Sequence, residues 1–307
     1  MKNAKQNNHL HFNAYLEDLA RQKKKNGKIR TAETYLSALH SLQHYFGRAQ
    51  IPFTDLTASV LGDYQNWLWQ RGVHKNTSSF YMRNIRAVVN SAVLDGKIPL
   101  QQVGQIFHSV YTGIDKTRKR SLSREDLCRI GKMALPEGSA LALARDLFLF
   151  SYYCRGMSFV DMAYLRPDNI VGGRLVYCRQ KTGQQISLRW ESCMQEIVER
   201  YAPVGSGYLL PIITRADENS RKQYLNAIFR TNNSLHVLSE RLGIVPHLTT
   251  YVARHTWASL AYQNSIPIPV ISESLGHDSE STTRIYLASL SDETLDKANA
   301  AMIRLLD

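Results

Sequence analysis

The sequence predicts a mainly α-helical protein of two domains: a basic helical bundle, then an α-rich domain carrying one small β-hairpin. Three observations carry this. Apolar residues recur at helical spacing through most of the chain, and one short stretch alternates in the β manner around a Lys-Thr-Gly turn. The positive charge is also confined to one end. Residues 1–120 hold 18 Lys and Arg against 7 Asp and Glu, a net of +11, whereas residues 121–307 hold 20 against 19, a net of +1. A basic segment joined to a neutral one points to a polyanion partner for the former. The 307 residues are comfortable for two domains, and a hydrophobic fraction of 44% is ordinary for a globular chain.

Residues 9–25 place Leu10, Phe12, Tyr15, Leu16 and Leu19 at near-helical spacing and end in RQKKKNGK. Thr31 is the expected cap of a second helix with Tyr35, Leu39, Leu42 and Phe46 on one face and Gly47 past its end. A third helix starts near Thr57 and runs through Val60, Leu61, Tyr64, Trp67 and Leu68 to Gly72. A fourth starts near Asn76 and runs through Met82, Ile85, Val88, Val89 and Ala92 to Gly96. Four helices with short loops make a bundle over residues 1–110, which Pro99 closes. Residues 111–122 begin with YTGIDKTRKR, which has no helical face and a dense basic tail, and form a linker with the domain boundary near 115. The second domain spans 123–307. Ser121 or Ser123 caps its first helix, near 123–134, with Glu125 and Asp126 where the helix dipole favours acids. A helix over 139–154 follows.

The hairpin comes next: RLVYCRQ (174–180) and QQISLRW, ending at Trp190, flank Lys181-Thr182-Gly183. Further helices are expected at about 192–201, 220–242, 249–263, 268–274 and 280–288. A last amphipathic stretch over 292–306 has Leu295, Ala298, Met302 and Leu305 on one face. There is no internal repeat or low-complexity segment.

Several classes of function are excluded at this level. No apolar run of about 18 residues exists, and MKNAKQNNHLHF lacks a signal core, so a cytoplasmic protein is expected. Cys128, Cys154, Cys178 and Cys193 form no CxxC pair and no tight Cys/His spacing, so reduced thiols and no zinc site are expected. No Asp/Glu cluster of the two-metal kind is visible.

The residues that carry chemistry lie in the second domain. Arg254 and His255 sit in TYVARHTWASL, LGH ends at His277, Tyr286 follows nine residues later in STTRIYL, and Arg155 lies upstream in SYYCRGMSFVDMAYL. Arginines, a histidine and a tyrosine brought together suit attack of a phenolic oxygen on a phosphodiester held between guanidinium groups, which stay charged and bond two oxygens at once. These pieces, in this order, are similar to the tyrosine recombinase (phage integrase) family over nearly the whole chain, and within it to the short two-domain Xer or invertase type. The family's early arginine matches Arg155, its hairpin lysine matches Lys181, and its H-x-x-R-H-T box matches Tyr251 to Thr256 with Arg254. L-G-H matches at His277, and the tyrosine nine residues later is Tyr286. The box departs at its first position, which is Tyr251 here. His247 lies four residues earlier and shares its face if the helix begins early enough.

The resemblance implies a SAM-like helical core-binding bundle plus an α-rich catalytic domain of the DNA breaking-rejoining fold. It also implies site-specific recombination by cleavage and rejoining through a 3′-phosphotyrosyl intermediate, with no metal, ATP or other cofactor. Arg155 and Arg254 would clamp the phosphate, Tyr286 would attack, Lys181 would protonate the departing 5′ oxygen, and His277 would hydrogen-bond a phosphate oxygen. Tyr251 would donate a hydrogen bond to the phosphate, and His255 would pack within the fold. Phosphate contacts are expected from Lys23, Lys24, Lys25, Lys28, Arg30, Lys75, Arg83 and Arg86, and from Lys116, Arg118, Lys119 and Arg120 in the linker. Base readout is expected from side chains such as Asn76, Ser79 and Asn84. The implied partner is double-stranded DNA with inverted-repeat sites, bound by a homo-tetramer. Residues 292–306 either dock on a neighbouring protomer or pack on their own domain, and the assembly leaves room for an accessory DNA-bending protein. Two other readings stay open: a type IB topoisomerase-like enzyme and a non-catalytic DNA-binding relic of the fold.

Overall fold

The computed structural model describes residues 11–99, 105–115, 120–201, 207–245, 247–284, 287, 299–300 and 303–304. The chain divides into two compact units, 1–117 and 118–307.

The first unit contains α1 (Phe12–Lys25), α2 (Ile29–Phe46), α3 (Ala58–Gln70) and α4 (Lys75–Leu94). Phe12, Leu16, Leu39, Leu42, Tyr64, Met82, Ile85 and Val88 fill its core, the positions that helical periodicity points inward. Thr57 caps α3 by accepting from the Val60 amide. Thr31, by contrast, is not a cap, because α2 already begins at Ile29. Gly27, at φ 74°, lets the Lys28 amide turn back onto the Lys23 carbonyl, and this tight turn leads directly into α2.

The bundle also continues past Pro99. Ile106, Phe107 and Val110 are buried in the same core. The segment expected to be linker is clipped to the bundle over 111–115: Gln65 brackets the backbone of Tyr111, Asn76 brackets that of Asp115, and the Ser79 hydroxyl donates to the Gly113 carbonyl at 2.5 Å. Asn76 and Ser79 are therefore committed to holding this segment, and Ser79 has no exposed surface, so it cannot read bases. Asn84 donates to the Phe80 carbonyl within α4.

In the second unit, Ser123 caps α5 (Arg124–Lys132) by accepting from the Asp126 amide, with Glu125 and Asp126 in the first turn. Next come α6 (Ala140–Tyr153) and a short α7 (Phe159–Ala163), followed by a three-stranded antiparallel sheet. Strand β2 (Arg174–Cys178) pairs with β3 (Gln185–Arg189), closing with Cys178 opposite Gln185. The edge strand β1 (Ile170–Val171) has only two residues, too few for alternation to reveal. Its signal is the Gly172-Gly173 pair, at φ 58° and 70°, which makes the two-residue turn into β2. Then follow α8 (Ser192–Arg200), α9 (Ser220–Leu242), α10 (Val252–Gln263), α11 (Ile268–Leu275) and α12 (Glu280–Arg284). Leu147, Phe148, Phe150, Leu175, Leu188, Leu210, Leu235 and Val252 build the core. A smaller cluster of Ala258, Ala261, Ile271, Leu275 and Leu287 sits beyond it. The stretch 292–306 lies outside the described residues except at four positions. Among the described residues no helix is long and apolar enough to cross a membrane.

One charge inside this core is structural. Asp146, on apolar α6, is 1% exposed and accepts from Arg145 Nε at 2.7 Å, Arg200 Nη1 at 2.5 Å and Tyr201 Oη at 2.7 Å. Burial raises its pKa, but the bonds from Arg145, Tyr201 and Arg200 outweigh this and hold it below the usual 3.8. Its stabilisation is therefore complete above that value and is lost as pH falls through the lower folded value. Asp146→Ala strands two arginines and is expected to cost about 3–5 kcal/mol. Urea unfolding checks this, and a change below about 1 kcal/mol would contradict it.

Candidate active site

Arg254 stands in the first turns of α10 and is 3% exposed. Its Nη1 donates to the Gly156 carbonyl at 2.9 Å, and its Nη2 donates to the Leu275 carbonyl at 2.5 Å and lies 2.9 Å from Nε2 of His277. One guanidinium thus joins the α6–α7 loop to the end of α11. Gly156 permits this approach: at φ 70°, a Cβ there would lie 2.7 Å from the Arg254 Cα. Thr256, next in the box, is fully buried and accepts from the Leu122 amide at 3.0 Å, anchoring the start of the unit to α10.

Arg155 precedes Gly156 with φ 56°, a left-handed conformation that costs a non-glycine residue about 1 kcal/mol. Its half-buried side chain makes no hydrogen bond or ion pair among the described residues. It is close to Arg254 along the chain path through Gly156, but its charge is not among those acting on His277.

His277 follows Gly276, the left-handed residue that ends α11, and its amide returns to the Ser272 carbonyl at 3.0 Å. Its Nδ1 lies 2.7 Å from the Oγ1 of buried Thr283. A guanidinium only donates, so Nε2 facing Arg254 carries the lone pair and Nδ1 carries the proton toward Thr283. Burial, then Arg254, Arg179 and Lys181, push the imidazole pKa down to about 3 from 6.5. Since the unfolded chain takes up the proton first, the stability this group contributes is complete above about pH 6.5 and declines as pH falls toward 3. The DNA-free protein is therefore expected to hold His277 as the neutral Nδ1–H tautomer throughout pH 5 to 8. Long-range ¹H–¹⁵N correlation of the imidazole nitrogens checks this, and a titration centred near 6.5 would refute it.

Lys181 is exposed on the turn between β2 and β3, which is closed by Arg179 N to Gln184 O at 2.9 Å and Gly183 N to Arg179 O at 2.8 Å. Tyr251 sits at the N-cap of α10, half-exposed, with its ring 4.8 Å from that of His255. His247 lies in the preceding loop, 4.3 Å from His236 of α9, because α10 begins only at Val252; it does not share a helix face with Tyr251. Tyr286 lies outside the described residues. Among the expected phosphate contacts, Lys24, Lys25, Lys28, Arg30, Lys75, Arg83, Arg86 and Arg120 are exposed and Lys23 is half-buried. Arg30 pairs with Glu33 at 3.2 Å, and Arg86 lies over the Phe107 ring. Lys116, Arg118 and Lys119 lie outside the described residues. No group of three or more His, Cys, Asp or Glu among the described residues is arranged to hold a metal, and the four cysteines are free thiols.

The sequence reading missed Arg179. It is 6% exposed and donates from Nη1 to the Gly276 carbonyl, directly behind His277. The signal was the strand alternation itself: Leu175, Tyr177 and Arg179 fall on one face, and that face points inward.

Both units have relatives among known proteins. The phage integrase SAM-like domain matches residues 11–107, and the phage integrase family matches 126–293. The chain belongs to the phage integrase family, the tyrosine recombinases. It is 23% identical over 275 residues to tyrosine recombinase XerC of Rickettsia canadensis (strain McKiel), covering 85% of this chain and 87% of that one. A lambda integrase tetramer bound to a Holliday junction shares the fold with a TM-score of 0.65 at 18% identity, over 92% of this chain and 78% of that one. The Tn1549 transposon integrase in complex with transposon right end DNA does so with a TM-score of 0.64 at 13% identity, over 97% and 100%.

Proposed function

We propose that this protein is a site-specific DNA recombinase that cuts and rejoins strands through a phosphotyrosyl link at Tyr286. The observation that carries the reading is the setting of Arg254. A buried guanidinium is held by two backbone carbonyls and shares Nη2 with a neutral histidine, beside the loop of Arg155. Burying such a charge is costly, and an incoming phosphodiester compensates it.

In the proposed reaction the Tyr286 phenol gives its proton to solvent water as its oxygen bonds phosphorus. Arg254 and Arg155 stabilise the charge on the five-coordinate phosphorus. The bond to the 5′ oxygen breaks, and Lys181 supplies the proton to that oxygen. The tyrosyl ester preserves the phosphodiester bond energy, so a second 5′ hydroxyl reverses the steps without ATP. The phosphate's negative charge opposes the cations that depress His277, so binding raises its pKa and favours donation from Nε2. Tyr251, at the entrance to α10, would add a phenolic donor.

The basic surface of the first unit would grip phosphates through Lys24, Lys25, Lys28, Lys75, Arg83 and Arg86. The working assembly would be a tetramer on two inverted-repeat sites, with residues 292–306 exchanged between protomers and an accessory bending protein where the site needs one. The test is to incubate the protein with a plasmid library of source-genome fragments, quench with detergent and sequence the attached DNA. Adducts at one short repeated site support the reading. Adducts dispersed along the DNA would favour a topoisomerase-like enzyme, and salt-sensitive binding without adducts would favour a DNA-binding relic.

A further inference from the structure

Resting on the recombinase reading and deepening it at the same site, we infer that Arg179 is a further phosphate-binding arginine, donating to the scissile phosphate from the hairpin base. Arg254 donates to two carbonyls as well as meeting His277, and the half-buried Arg155 is not among the charges acting on that imidazole. Arg179 sits at the base of the Lys181 turn, against the carbonyl of Gly276.

Three features support this. The guanidinium is buried but under-partnered: Nη1 donates to the Gly276 carbonyl, Nε makes no hydrogen bond, and Nη2 has no partner among the described residues. Its nearest carboxylate, Asp161, is 4.0 Å from Nε and is already taken up by the Ser158 hydroxyl at 2.6 Å and the Gln180 amide at 2.8 Å. A structural salt bridge would close this gap, because a buried charge with unmade hydrogen bonds is costly. The same gap suits an anion that arrives with the substrate.

The second feature is placement. Arg179 lies two residues before Lys181 and bonds the residue before His277, and it is one of three side chains whose charge acts on that imidazole. The third is the space made for it. Gly276 is left-handed at φ 63°, and a Cβ there would lie 2.6 Å from Arg179 Cδ, so the glycine of L-G-H admits this arginine against the backbone. The buried Thr182 Oγ1 and Gln184 Oε1 on the same turn also lack hydrogen-bond partners. Two polar side-chain atoms of the turn beside Arg179 are therefore unsatisfied as well.

The test uses the full-length protein and an oligonucleotide duplex carrying the site recovered from wild-type adducts. One version has the natural scissile phosphate and the other a neutral methylphosphonate. Arg179→Ala is expected to lose about 100-fold or more in single-turnover cleavage of the phosphate. It should regain most of that loss on the methylphosphonate, where there is less charge to neutralise. Asp161→Asn, which disturbs the support but not the contact, should show no such selective recovery. Arg179→Lys, which keeps the charge if Ala fails to fold, should lose less on the methylphosphonate than on the phosphate. Equal losses on both substrates, for whichever Arg179 variant is folded by circular dichroism, would make Arg179 a strut and overturn the inference. Absence of any wild-type adduct would instead bring down the recombinase reading on which it rests.

Discussion

Arg254→Ala is expected to lower single-turnover DNA cleavage by about 10³-fold or more while leaving salt-dependent DNA binding within a few-fold of wild type. The expectation follows from the contacts. Nη1 reaches the Gly156 carbonyl and Nη2 reaches both the Leu275 carbonyl and His277, so one side chain positions two loops and a catalytic candidate. Removing it would take away a fixed positive charge where the proposed transition state gathers negative charge. It also leaves two buried carbonyls unpaired, at about 1–3 kcal/mol each. Arg254→Lys separates the two effects. The ammonium keeps the charge but lacks the fork that spans both carbonyls, so it should fold better than Ala and still lose about 10²-fold in cleavage. Thermal unfolding alongside the kinetics checks the partition. A Lys variant of wild-type rate would show that charge alone suffices and that the fork geometry is incidental.

Tyr286→Phe is expected to abolish covalent attachment entirely while retaining site-specific binding. The substitution removes one oxygen and little packing volume, so the fold should tolerate it. Without the nucleophile no other group substitutes, because an unassisted phenol has a pKa near 10 and needs the cationic surroundings built around Arg254. Of the described neighbours, Thr283 is fully buried against His277, and Leu287 is buried with Ile271 and Leu275. Residual adducts in the Phe variant would mean that another side chain attacks.

Most of the fold was legible because its signals are local. Helical periodicity marks α1 to α4, and the alternation of Leu175 and Tyr177 marks the hairpin. Thr57 and Ser123 cap where short polar residues precede apolar runs. What failed was non-local. The attachment of 111–115 depends on Gln65, Asn76 and Ser79 lying distant in sequence, whereas the α2 start at Ile29 is a local exception set by the turn that Gly27 makes. At the site, the motifs located Arg254 and His277, which do meet. The contact of Arg179 with Gly276 appears only when the hairpin and the end of α11 come together. An arginine that continues the inward alternation one residue past β2 was the sequence's sole notice of it. Asp146 was hidden in the same way, inside a helix that otherwise reads as apolar.

The most direct measurement is to trap the protein on its DNA with detergent, digest the complex with nuclease and protease, and identify by mass spectrometry the peptide that retains a nucleotide. The chain has 16 tyrosines, so the assignment is discriminating. One modified peptide is expected, with the nucleotide on Tyr286, and none from the Phe variant. A nucleotide on any other residue, or no attached nucleotide at the DNA site the protein binds, would contradict it.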